Sequence, residues 1–146
     1  MESRMELRQA GICGSRLRII GDQVLRAFLA VRDGRSPDAV IADPERDSRF
    51  LAACRELGAE ASDAELNHAL YNLRKRGALE GHGTTRRSRA AQLDEYRFAS
   101  EIAARYLERR HHITLDRVIC DPDLAREFDR LAGELAPGFS PFGYRF

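Results

Sequence analysis

The residues of this chain best suited to chemistry lie close together near its middle. From Asn67 to Arg76 the sequence runs Asn-His-Ala-Leu-Tyr-Asn-Leu-Arg-Lys-Arg, and Arg86, Arg87 and Arg89 follow a glycine-containing stretch. Asn67, His68, Tyr71, Asn72, Arg74 and Lys75 are expected to face away from Leu66, Leu70 and Leu73 if this segment is helical, and Arg76 closes the run. Asparagine can bond two edges of an adenine, arginine can do the same for guanine, and lysine and arginine hold phosphates. Arg74, Lys75, Arg76, Arg86, Arg87 and Arg89 concentrate six positive charges in one short stretch, opposed by Glu80 alone. The whole chain of 146 residues carries a formal charge of only +1, so the positive field is focused rather than global. Of its 24 basic residues all but Lys75 are arginine, a bias that reflects genome composition as much as chemistry. The competing reading is a solvated polar face whose basic end favours the negative pole of the helix dipole.

Catalytic chemistry is not expected. His68, His82, His111 and His112 stand at no metal-ligand spacing to one another or to the cysteines, so neither a metal nor another cofactor is implied. His111-His112 reads as a helix-end connection, and Gly81-His82-Gly83 is too short for a phosphate loop. Asp43-Pro44 and Asp121-Pro122 read as helix caps rather than catalytic carboxylates. Pro37-Asp38 is followed by no Glu-x-Lys on a plausible strand, which a nuclease would need. Cys13, Cys54 and Cys120 are odd in number and widely spaced, which suggests reduced thiols acting as small hydrophobes.

These residues must be positioned by helices, because the chain is punctuated by helix starts and stops. A first helix is expected over about 17–33, with Leu17, Ile20, Val24, Phe28 and Val31 along one face. Short and longer helices follow at 37–42 and 44–57, the latter turning Phe50, Leu51, Cys54 and Leu57 inward. Ser62-Asp63-Ala64-Glu65 is a capping box opening a helix over 62–76, with Gly77 as its stop. Another helix is expected from about Ala90 to Arg110, with Leu93, Tyr96, Ala103 and Leu107 inward, and then one carrying Phe128, Leu131 and Leu135.

Sliding the sequence by 78 positions lays Ala27–His68 over Arg105–Phe146 without a gap, with 11 of 42 pairs identical. They include Asp38/Asp116, Val40/Val118, Ile41/Ile119, Asp43/Asp121, Pro44/Pro122, Phe50/Phe128 and Ser62/Ser140. The expected fold is therefore all-α: two tandem helical repeats at a 78-residue offset, with a helix-turn-helix-like hairpin and room for a short β-wing. The first unit would span 1–83, a basic connecting segment 84–89, and the second unit 90–146. Ser140-Pro141 opens the counterpart of the capping-box helix, yet the sequence ends at Phe146. The second unit is expected to be cut short, to be completed by further chain, a protein partner or a homodimer.

The segment Phe50–Gly81 resembles the second and third helices of winged helix-turn-helix DNA-binding domains. The likeness is carried by Ser62, Glu65, Leu66, Ala69, Leu70, Leu73, Arg74, Lys75, Arg76, Gly77, Leu79 and Glu80, and it covers only that segment of the chain. It implies that the 62–76 helix enters a major groove and that a glycine-containing wing follows. The resulting expectation is a non-catalytic nucleic-acid-binding module, duplex DNA in preference, acting as adaptor or regulator. The alternative is a helical-repeat protein-interaction scaffold or regulatory subunit. No apolar run approaches the roughly 18 residues of a membrane span, and Met1–Gly11 has no signal-peptide pattern, so a cytoplasmic chain without membrane contact is expected.

Overall fold

The computed structural model describes the backbone of residues 2–82 and 97–145 and the side chains of 16–82 and 97–145. Its elements are α1 (Glu2–Val31), α2 (Pro37–Ala42), α3 (Pro44–Glu56), α4 (Asp63–Lys75), α5 (Arg97–His111), α6 (Leu115–Cys120), α7 (Pro122–Leu135) and α8 (Pro141–Arg145). The fold is all-α, with no strand among the described residues. Of the stretch expected to form a wing, Ala78–His82 is a run of turns. The remainder, like the basic segment 84–89 and the expected helical residues 90–96, lies outside the described residues.

Local chemistry explains where the helices begin. Ser36 Oγ accepts from the Ala39 amide at 3.2 Å, with Pro37 in the first turn of α2. Asp43 Oδ1 accepts from the amides of Glu45 (3.0 Å) and Arg46 (3.5 Å) at the start of α3. Asp121 Oδ1 does the same at α7, to Asp123 at 3.0 Å and Leu124 at 3.5 Å. At α4 the capping box closes in both directions, with Glu65 N donating to Ser62 Oγ at 3.2 Å and Ser62 N donating to Glu65 Oε2 at 2.9 Å. Ser140 Oγ likewise accepts from Gly143 N at the start of α8. Three pairs of helices start at corresponding positions of the two sequence copies: α2 and α6 at Pro37 and Leu115, α3 and α7 at Pro44 and Pro122, α4 and α8 at Asp63 and Pro141.

The turns that end α1 and α5 also correspond, because both need a left-handed residue. Asp33 (φ 45°) and Gly34 (φ 71°) supply it after α1, and His112 (φ 54°) after α5.

One helix boundary and two side-chain orientations differ from expectation. Helix α1 begins at Glu2 rather than near Leu17, since the preceding residues contain no proline and several strong helix formers. Leu17 is 64% exposed, on the rim of a groove lined also by Arg76 and Ala78, and not on the buried face. Leu57, expected to point inward, is exposed at the end of α3, where the chain turns away from the core.

One contiguous core runs through the molecule, built from Val24, Phe28, Ile41, Phe50, Leu66 and Leu70 together with Leu107, Val118, Ile119 and Phe128. Helix α1 packs on α3 and α4, and α5 packs on α6 and α7. Helix α4 also reaches α6, and α8 reaches α2, so the contacts across the molecule are reciprocal. Cys54 and Cys120 are free and buried, and burial pushes both thiols up, Cys54 to about 12. They are packing groups rather than nucleophiles. Cys120 fills a buried site of the kind that its counterpart Ala42 fills in the first copy.

Because the two Asp-Pro caps have the same geometry, Asp43→Ala and Asp121→Ala should each cost about 1 kcal/mol. Urea denaturation of both single variants should give matching losses, and the double variant should give roughly their sum.

Candidate functional site

Helix α4 carries most of the residues expected to act, and its surroundings decide which of them can. It is flanked by α1, α2, α3 and α6. Packing on that many sides buries a wide arc, so Asn67 and Tyr71 join Leu66, Leu70 and Leu73 inside. Asn67 has 0% exposure and Tyr71 7%, which corrects the expectation that both face solvent. In this arrangement neither can reach a base.

Asn67 instead serves as an internal tie. Its Nδ2 donates to Asp47 Oδ2 at 3.0 Å and to the Cys120 carbonyl at 2.9 Å, joining α4 to α3 and α6. Asp47 is itself buried. Desolvation raises its carboxyl from the ordinary 3.8 to about 7, and this outweighs the opposing effects of the Asn67 bond and of Arg145. Arg145, on α8, is held by Asp129, with Nε donating to Oδ1 at 2.9 Å and Nη2 bonding Oδ2.

The remaining residues of this set are more accessible. His68 is half-buried in a groove with Ala64, Glu65, Ile113, Arg117 and Leu124. Asn72 and Arg76 are exposed, beside the groove between α1 and α4. Arg74 forms an ion pair with Asp38 and lies over the Tyr71 ring, 5.7 Å from its centroid. Lys75 pairs with Asp116 at 2.8 Å. Asp38 and Asp116 are counterparts in the two sequence copies, so adjacent cations on one helix engage the same acid from each. These pairs are half-exposed and weak individually, but they already partially neutralise the expected recognition end. Arg86, Arg87 and Arg89 lie outside the described residues.

A different surface was not anticipated. On α5, Phe98 is 71% exposed, Ile102 39% and Tyr106 48%. Their four-residue spacing aligns them along one side of the helix. Arg105, Arg109 and Arg110 stand beside them and, with Ile102 and Tyr106, line an open depression of about 690 Å³. Arg110 Nη1 donates to the Tyr106 hydroxyl at 3.0 Å, and Arg105 pairs with Glu101 at 3.3 Å. The signal lay in the offset between the copies: the counterparts of Ile102 and Tyr106 are Val24 and Phe28, both at 0% exposure. Helix α5 instead turns Ala99, Ala103, Ala104 and Leu107 inward.

Among the described residues no cluster of three His, Cys, Asp or Glu side chains is placed to hold a metal ion. No helix among them is long and apolar enough to cross a membrane. Fold and surface thus define an all-helical chain that ties Asn67 and Asp47 together inside and exposes an apolar, arginine-flanked strip. Compared with family models, curated proteins and solved structures, it has no significant match.

Asn67→Ala should destabilise by about 2–3 kcal/mol in urea unfolding, because it removes the donor to two buried acceptors and leaves a void. Asp47 has a folded pKa above its unfolded one. Its destabilising ionisation is therefore absent below about pH 3.8, grows as pH rises, and is complete above about pH 7. Asp47→Asn should accordingly raise Tm at pH 8, with the gain shrinking toward pH 4.

Proposed function

We propose that this chain is a non-catalytic protein-interaction scaffold, made of two copies of a helical unit, whose second copy presents the binding surface. The observation that carries this reading is the Phe98–Ile102–Tyr106 strip, since three large apolar side chains aligned along one helix are costly to leave in water. The two-copy organisation is supported by the matched starts of α2 and α6, α3 and α7, and α4 and α8, and by their matching Asp-Pro caps. A role as regulatory subunit is a form of the same reading. The residues suited to nucleophilic or acid–base chemistry argue the same way: the described cysteines are packing groups, and Asp43 and Asp121 are occupied as caps.

Nucleic-acid binding is the competing proposal. It draws on Asn72 and Arg76 at the exposed end of α4, on His68, on Arg74 and Lys75 released from their carboxylates, and on Arg86, Arg87 and Arg89. Burial of Asn67 and Tyr71 takes two of its readers away and makes it the weaker of the two.

The readings separate in two assays. A photo-crosslinking residue at position 102 should give a discrete protein adduct in the source cells, whereas one at the well-exposed Asp123 should not. Random-sequence duplex DNA should bind weakly and equally to wild type and to the Arg86→Ala/Arg87→Ala/Arg89→Ala variant. Tight binding that falls steeply with salt and is lost in that variant would replace the scaffold reading with the nucleic-acid one.

A further inference from the structure

We infer that the seam between α4 and α6 is a proton-operated joint, closed while the Asp47 carboxyl holds a proton and parted enough to admit water when the proton leaves. The joint works in the same way whether the chain's partner is a protein or a nucleic acid.

Asp47 is buried among groups that suit a neutral carboxyl and not a carboxylate. Asn67 Nδ2 donates to its Oδ2, while Asp47 Oδ1 and Asn67 Oδ1 are both buried with no hydrogen-bond partner among the described residues. A carboxylate offers about four sites to donors, and leaving its charge unanswered in the interior is far costlier than leaving a neutral acid so. No cation is free to answer it. Arg145 of α8 is the cation that favours ionisation, and its Nε and Nη2 are held by Asp129. Asp63, at the start of α4, opposes ionisation. Cys54 on α3 and Cys120 on α6 also interact with Asp47, and burial keeps both thiols protonated around neutrality. Helices α1 and α2 pack on α3 as well, but among the described residues no charged group of theirs acts on Asp47.

Water has a way in. A groove of about 360 Å³ runs between α4 and α6, lined by Glu65 and His68 of the first and by Arg117 and Cys120 of the second. The Cys120 carbonyl is the other acceptor of Asn67 Nδ2, at 2.9 Å, so the Asn67 amide alone spans from this wall of the groove to the carboxyl. Hydrating an ionised Asp47 along this path breaks the Asn67–Cys120 bond, which is the bond that latches α4 to α6. The parting stays local. Lys75 and Asp116 still tether the far end of α4, and α6 keeps its packing on α5 and α7, so neither half unfolds. Because desolvation raises the carboxyl to about 7, the joint is closed in acid and opens as pH rises through neutrality.

Cys120, at 1% exposure, reports the opening. In the full chain, Cys13→Ser with Cys54→Ala leaves it the lone thiol, and 4,4′-dithiodipyridine labels thiols across the pH range needed. At pH 5.5 this chain and the same chain carrying Asp47→Asn should label within twofold of each other. At pH 9 the Asp47→Asn chain should label at least tenfold more slowly, and comparison at equal pH cancels the thiol's own chemistry. His68→Gln should leave the contrast in place, which separates Asp47 from the histidine in the groove. Hydrogen exchange followed by mass spectrometry needs no cysteine changes. The unsubstituted chain should lose protection in α6 relative to its Asp47→Asn variant at pH 9 and not at pH 5.5, while α1 exchanges alike in both. The same pH dependence in both chains, or its loss in His68→Gln, would overturn the inference. A contrast as large in α1 as in α6 would also overturn it, since ionisation would then weaken the whole molecule and open no joint.

Discussion

The structure depends on one buried side chain, the Asn67 amide. With no solvent exposure, its nitrogen satisfies a carboxylate on α3 and the last carbonyl of α6, so a single group fixes three helices relative to one another. In a low-dielectric interior such bonds are strong when made and costly when broken, which makes them more selective of geometry than apolar contacts are. The apolar core around them would tolerate small rotations of α4. The paired bonds would not, because Asp47 and Cys120 lie on different elements. The counterpart of Asn67 in the second half is Arg145, which grips Asp129 within its own half. The same position therefore joins the halves in one copy and braces a single half in the other.

The starts of the helices were legible in the sequence because capping is local chemistry. Ser36, Asp43, Ser62 and Asp121 sit where a side-chain oxygen can meet an amide two or three residues on, and no distant residue alters that. The inward orientation of Phe50, Cys54, Ala103 and Leu107 was legible too, from apolar spacing. What the sequence hid was the width of the buried arc. Polar residues at 67 and 71 look solvated beside a leucine face, and only the approach of α6 turns that flank into interior. Leu17 shows the converse, an apolar residue on the right spacing but at the groove's rim.

The basic segment was the most conspicuous functional signal in the sequence, and the α5 strip the least. Arginines announce themselves by type, but Arg74 and Lys75 each find an acid from one sequence copy, which the order of residues alone does not reveal. Phe98, Ile102 and Tyr106 look like core residues because their counterparts at 20, 24 and 28 are core or near it. Their exposure comes from the turn of α5 toward its alanines, a tertiary fact.

The reach of α4 onto α6 has a consequence for how the molecule can come apart. Helix α4 lies against α1, α2 and α3 on one side and α6 on the other, and its last turn engages acids from both sequence copies. Neither half therefore encloses a complete core of its own. Opening the second half would strip α4 and leave the first half's leucines wet, so partial unfolding gains little conformational freedom for the surface it exposes. The packing of the described residues therefore favours one cooperative unit, in which loss of either half's helices strips apolar surface from the other.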